Sequence, residues 1–443
     1  MTTRLLIRGG TIVSFDARTQ TPLAGDVLIE NGTIAAIAPL IEAADAELIE
    51  AEGAVVMPGL VDAHRHLWYE TVRGLAMDCS LGALRRDIWG RLAVRFTPLD
   101  VHLATRAAIV DALSHGITTV FDWCHIINTP EHGEEAIRAH LELPIRSVFG
   151  YGTSMTRKLE ELDGLHAGGG QLERMPEAVL RPTTARTSFA LALQGPEATS
   201  LATTRREIAA ARAVGLPVSM HVGIRDAARP RRAIARLLGA GLMGPDLQFV
   251  HCCTSSAREL RAVADAGARI AVCPMAEMAL GIGVPPTGRA RAAGLRPALA
   301  TDAVSSASGD LFDEARLALA GERISSPAGA QESRPSAREA LAGITLDAAR
   351  ACWLENLTGS LEVGKRADVV LLRGLDIAAI PGADLHGAII ASAHGANVDT
   401  VLVDGEIIKR DGALVGIDRA ATAAALAESR ARLIAEAGSE AIR

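Results

Sequence analysis

Eight short β-type runs, strung through the middle of this 443-residue chain and separated by helical stretches, leave it few ways to fold. They are Ala54–Val61, Ile117–Asp122, Ile145–Tyr151, Thr187–Leu193, Pro217–Val222, Leu247–Cys252, Arg269–Pro274 and Ala298–Asp302. Between them lie Ala-, Arg- and Glu-rich segments of helical character, such as Pro98–Ser114, Glu131–Leu141, Thr203–Val214, Arg231–Leu238 and Ala257–Ala266. Gly116, Gly215, Gly267 and Gly294 follow helical stretches, where glycine is the expected stop. Eight such repeats predict an α/β protein with a closed (β/α)8 TIM barrel. A doubly wound sheet is the competing arrangement, but no GxGxxG follows an early strand, so a dinucleotide fold has little support.

The two ends differ from the middle. Leu5–Thr11, Asp26–Glu30 and Thr33–Ala38 are β-type runs, and the Asn31-Gly32 dipeptide between the last two is a strong hairpin signal. Ala367–Leu372 and Val398–Val403 repeat the style, the latter turning through Asp404-Gly405 into Ile407-Ile408. Residues 1–56 and 361–417 are therefore expected to form a small β-sandwich, residues 57–360 the barrel, and 418–443 an outer helix rich in Ala and Glu.

Hydrophobic residues at 49% and charged ones at 22% match an ordinary globular chain and exclude a disordered, collagen-like or coiled-coil protein. With 45 Lys+Arg against 52 Asp+Glu, no broad basic surface argues for nucleic acid. No apolar run approaches a membrane span, and the N-terminal apolar stretch is too short for a secretory signal. Six cysteines without a CxxC pair fit reduced thiols in a cytoplasm. The expectation is a cytoplasmic enzyme with a small-molecule substrate and no nucleic-acid or membrane partner.

A barrel of this kind carries its chemistry at the C-terminal ends of its strands. The first predicted strand leads into Asp62-Ala-His64-Arg-His66, the fifth ends in His221, the sixth in His251 and the eighth in Asp302. Strand periodicity puts His64 and His66 on one face, with Arg65 opposite. Any single strand-end histidine reads as a hydrogen-bonded core residue; four of them with an aspartate at one rim do not. Neutral imidazoles and a carboxylate suit zinc or iron(II), whereas calcium or magnesium would want more oxygens.

The stretch Met57-Pro-Gly-Leu-Val-Asp-Ala-His-Arg-His66 resembles the PGxxDxHxH signature of the amidohydrolase superfamily. Gly359-Ser-Leu-Glu-Val-Gly-Lys-Arg-Ala-Asp-Val-Val370 resembles the sequence that re-enters its small β-sandwich. The likeness spans nearly the whole chain and looks closest to the branch of cytosine and guanine deaminases and triazine hydrolases. It implies that His64, His66, His221 and Asp302 hold one divalent metal, Zn2+ or alternatively Fe2+, with His251 acting beside it, and that the protein is a homo-oligomer. Binuclear members bridge their metals with a carboxylated lysine at the fourth strand end. Here Ser188–Gln194 has no lysine, and none lies between Lys158 and Lys365, so one metal is expected.

The implied reaction is hydrolysis of a C–N bond in a small cyclic or heteroaromatic compound, most often deamination. A divalent cation lowers the pKa of its water from about 15.7 to about 7, giving a hydroxide that attacks a trigonal carbon. Asp302 would shuttle the proton and His251 would stabilise the developing negative charge. Two departures bear on this. Deaminases of the branch carry Glu three residues after the fifth-strand histidine, where this chain has Ile224. That shifts weight toward another leaving group (alkylamine, halide, thiol) or a cyclic amide. Glu277 is the candidate substitute, with an Arg-paired loop carboxylate as its plainer reading. Arg65 is the second departure; a structural ion pair behind the strand is preferred over an anchor for an anionic substrate.

Trp68 and Trp123 on the first loops are candidate stacking surfaces for a flat substrate, near Tyr69, Glu70, Trp89 and Asp122. Packing of the loops is an equally good reading. Gln194 and His125 are candidate substrate hydrogen-bond partners; Asp226 and His125 are weaker candidates than Glu277 for the missing acid. The run Arg229-Pro-Arg231-Arg232 reads as a solvated helix start. A catalytically silent binding protein on the same barrel is the alternative from outside enzymology.

Overall fold

The computed structural model describes residues 4–16, 22–154, 156, 186–224, 232–325, 335–375 and 384–438. The first five strands are β1 (Arg4–Ile12), β2 (Leu23–Glu30), β3 (Thr33–Ala38), β4 (Glu47–Glu50) and β5 (Val55–Pro58). Eight barrel strands follow: β6 (Leu60–Arg65), β7 (Ile117–Cys124), β8 (Arg146–Gly152), β9 (Thr187–Leu193), β10 (Val218–Val222), β11 (Leu247–His251), β12 (Arg269–Val272) and β13 (Ala298–Leu299). The last four are β14 (Val369–Leu372), β15 (Val398–Val403), β16 (Glu406–Arg410) and β17 (Ala413–Leu414).

Strands β6 to β13 pair in sequence order and in parallel, as the alternating pattern predicts. The seam between the last and first strands is closed by two backbone hydrogen bonds, Asp302 N to His64 O (3.0 Å) and His66 N to Asp302 O (2.9 Å). Asp62 adds a side-chain strap across it, accepting from the Thr301 hydroxyl (2.6 Å) and amide (3.1 Å). Ala63, Ala190, Ala192, Ala271 and Ala298 fill much of the interior with Val61, Phe121, Val148 and Val250.

The terminal segments build a separate sheet in the order β17-β16-β15-β14-β5-β1-β2-β3, with β4 also on β1. Its turns are those the sequence signals: Asn31-Gly32 and Asp404-Gly405 both take positive φ, as a two-residue hairpin demands. The predicted Ala54–Val61 run proves to be two strands in different sheets. Pro58 ends β5, which pairs with β14, and Gly59 turns the chain into the barrel. A Cβ on Gly59 would lie 2.1 Å from the Thr118 hydroxyl, so only glycine passes there.

The sheet is fastened to the barrel at the end remote from the strand C-termini. Arg146, at the start of β8, is 2% exposed and grips Asp368 through Nε (2.7 Å) and Nη2 (3.1 Å), and it also meets Asp404. Lys409 donates to the Ser114 carbonyl at 2.8 Å. The closing helix, Arg419–Ala437, lies on Pro98–Ser114, with Ser429 donating to Asp100 (2.6 Å) and Leu433 buried. Among the described residues no helix is long and apolar enough to cross a membrane.

Candidate metal centre and active site

His64, His66, His221 and Asp302 arrive from β6, β10 and the turn after β13, and their donor atoms lie within 4.8 Å of one another. Asp302 Oδ1 is 3.2 Å from Nε2 of both His64 and His66, and the Nε2 atoms of His64 and His221 are 3.2 Å apart. His66 donates Nδ1–H to the Trp123 carbonyl at 2.6 Å, which turns its Nε2 toward the group. Backbone strain is concentrated here: His251, Cys252 and Asp302 hold φ of +74°, +55° and +56°.

Burial sets the charges. It depresses His64 to a pKa of about 3, despite the opposing pull of Asp302. His221 and His125 are also held well below the usual range, first by burial and then by neighbouring imidazoles. Burial would raise Asp302, but hydrogen bonds with His64 and His66 outweigh it and keep the carboxyl well below its ordinary range. Three imidazoles and a carboxylate converging in one buried group suit a divalent cation such as zinc.

A stability test follows. In the metal-stripped chain the unfolded histidines take protons near pH 6.5, whereas folded His64, His221 and His125 resist them. Unfolding therefore binds protons, and stability is full above pH 6.5 and is lost as pH falls toward 3. His251, whose pKa is raised, works in the opposite direction, as do Glu314 and Asp62, whose carboxyls burial pushes up, so the imidazole contribution is read by difference. His64 alone contributes about 2 kcal/mol of loss between pH 7 and pH 5. Urea unfolding of chelator-treated wild type and His64→Asn at the two pH values checks this; a wild-type loss no larger than the variant's would mean that His64 is solvated.

The remaining predicted residues sit as follows. His251 is buried, with Nδ1 3.1 Å from Glu277 Oε1, which also accepts the Cys273 amide at 2.9 Å. Glu277 thus faces a histidine, not the arginine of its plainer reading. Burial would lower His251, but the Glu277 hydrogen bond and the charges of Asp302, Glu277 and Glu197 raise it. Arg65 points away from the cluster, 3.2 Å from Asp111 and 3.5 Å from Glu70, the structural pairing preferred above.

Trp68 and Trp123 are buried instead of lying open on a rim, at 1% and 0% exposure. The Trp123 ring is 4.3 Å from His221, and His125 is 4.1 Å from His66. Trp68 stacks on Tyr69 at 4.2 Å and meets His125 edge-on. The indole nitrogens of both tryptophans and Nε2 of His125 are buried without a protein partner. Gln194 donates to the Thr153 carbonyl at 3.4 Å. Asp226 and residues 229–231 of the Arg229-Pro-Arg231-Arg232 run lie outside the described residues.

Sequence reasoning passed over three carboxylates around the centre. Asp62 straps the barrel seam, Glu197 accepts the Gly223 amide (2.8 Å) beside the end of β10, and Glu314 accepts the Met275 amide (2.9 Å). Glu197 had a signal, three residues beyond the strand-end Gln194. Glu314 had none, since it lies within a helix, Leu311–Ser325.

Comparison with known proteins gives one consistent result. Residues 55–408 match the Amidohydrolase family. A 5-methylthioadenosine/S-adenosylhomocysteine deaminase of Pyrococcus furiosus is 29% identical over 425 residues, 94% of this chain and 97% of the relative. The fold is shared with a zinc-bound adenosine deaminase from Xanthomonas campestris (TM-score 0.82, 24% identity, 97% and 98% of the two chains). A zinc-bound atrazine chlorohydrolase from Arthrobacter aurescens is similar in fold too (TM-score 0.82, 21% identity, 96% and 100%).

Proposed function

Because the chain belongs to the amidohydrolase family, we propose that it is a mononuclear, metal-dependent aminohydrolase that removes ammonia from a small heteroaromatic ring. The convergence of His64, His66, His221 and Asp302 on one point, with His251 alongside, carries this reading. Zinc suits the donor set best, with iron(II) as the alternative. A divalent cation there supplies Lewis acidity and an acidified water at neutral pH.

The chain's own groups divide the remaining work. The Asp302 carboxylate accepts a proton and passes it to the departing amine. Glu277 Oε1 holds the Nδ1 proton of His251, so Nε2 is the atom left to meet charge developing on the substrate. Glu277 is therefore a positioning residue, acting through His251. Trp68 and Trp123 bring two partnerless indole N–H donors near the cluster, and His125, whose Nδ1–H meets the Trp123 carbonyl, brings an accepting Nε2; together they favour a flat substrate with both acceptors and a donor. Gln194 is assigned to the substrate edge on its position at the end of β9. The relatives point to purine nucleosides of the methylthioadenosine type as the first substrates to try.

Ile224 favours a second reading, in which the leaving group is an alkylamine, halide or thiol that needs less protonation, or a cyclic amide is opened. The two are separated with zinc-loaded protein and a panel of heteroaromatic amines, methylthioadenosine and adenosine included. Ammonia is followed by a coupled assay and all products by mass spectrometry. Stoichiometric ammonia is expected; turnover without ammonia would replace the first reading by the second. No turnover by protein that holds its metal would favour a binding role. We also place the protein in the cytoplasm, as free buried thiols suit, and expect a homo-oligomer.

A further inference from the structure

Asp302 belongs to two groups of ligating atoms. Besides the cluster already described, His251, Cys273 and Asp302 offer one donor each within 4.8 Å, and all three are buried. His251 carries the outer-sphere mark of a ligand. Its Nδ1 is engaged by Glu277 at 3.1 Å, the arrangement that fixes a metal-binding imidazole and leaves Nε2 as donor. The same Glu277 oxygen takes the amide of Cys273 at 2.9 Å, so one carboxylate braces two of the three donors. Cys273 itself is pinned where β12 gives way to the helix Pro274–Ala279.

We propose that His251, Cys273 and Asp302 form a second, weaker cation site for thiophilic divalent ions, bridged to the first through the Asp302 carboxylate and inhibitory when filled. The thiol of Cys273 releases its proton to solvent as the sulfur–metal bond forms, so binding weakens in acid. Nitrogen, sulfur and oxygen donors in one small buried group select zinc, cobalt or cadmium over magnesium or calcium. Occupation engages Nε2 of His251, the atom assigned above to the substrate, and turnover falls. The inference rests on the proposed function of the first site and adds a regulatory ion to it.

The test uses the full chain stripped of metal and titrated with Co2+ under equilibrium dialysis and absorption spectroscopy. Two equivalents are expected, the second bringing a near-ultraviolet thiolate-to-cobalt charge-transfer band. Cys273→Ser and Cys273→Ala should each keep the first equivalent and lose both the second and the band. Cys252→Ser, altering the buried thiol next to His251, should keep all three features. With zinc, a tenfold excess over the first equivalent should lower kcat at least fivefold in the unaltered chain and leave that of Cys273→Ser within twofold. A chain that stops at one equivalent, or a band that survives in Cys273→Ser, overturns this inference alone. A chain that binds no cation overturns the proposed function as well.

Discussion

Asp302→Asn should lower kcat/KM by about 10²- to 10⁴-fold, the span of a lost general acid–base group, in protein that still folds. Asparagine keeps the shape and tolerates the +56° φ at this position, which alanine or a branched residue would resist. The backbone bonds from Asp302 to His64 and His66 that close the barrel also survive. What disappears is a buried negative charge 3.2 Å from two imidazoles. The loss should fall mainly on kcat once metal is saturating, since the group acts on a proton in transit. Metal-saturated variant retaining more than about a tenth of wild-type kcat would remove Asp302 from that role.

The largest stability effect is expected far from the chemistry. Arg146→Met should destabilise the chain by about 3–5 kcal/mol, because it strands the buried Asp368 without its cation and takes one of three arginines from Asp404. Burial would raise the Asp404 carboxyl, yet Arg146 and its neighbouring arginines hold it below its ordinary range, so the charge is present at neutral pH. Combining Arg146→Met with Asp368→Asn should recover part of the loss. Urea unfolding at pH 7 measures both, and a single variant within about 1 kcal/mol of wild type would show that water replaces the arginine.

The grouping of candidate ligands was the more legible part of the sequence, and the reason is periodicity. An imidazole at the end of an apolar run stands out, so His64, His66, His221, His251 and Asp302 could be assembled before any contact was known. The TIM barrel was readable for the same reason, and family membership bears it out. Val55–Pro58 and the Leu60-Val61 start of the next strand merged in the sequence because both are apolar; the break at Gly59 is dictated by the Thr118 side chain, which no local signal announces. Burial of Trp68 and Trp123 was equally hidden, being set by the packing of His66, Tyr69 and His125 around them. Contacts between distant residues such as Asp62 and Thr301 leave no mark on either neighbourhood.

The pairing of β5 with β14 has a price during synthesis. Val55 and Val56 emerge early from the ribosome, yet the strand that covers their open edge is made about three hundred residues later, a separation that slows closure and lengthens exposure. Until then the nascent polypeptide displays a sticky apolar ribbon just upstream of the two histidines that begin the centre. Producing this protein in quantity should accordingly benefit from slow translation or from a holding chaperone.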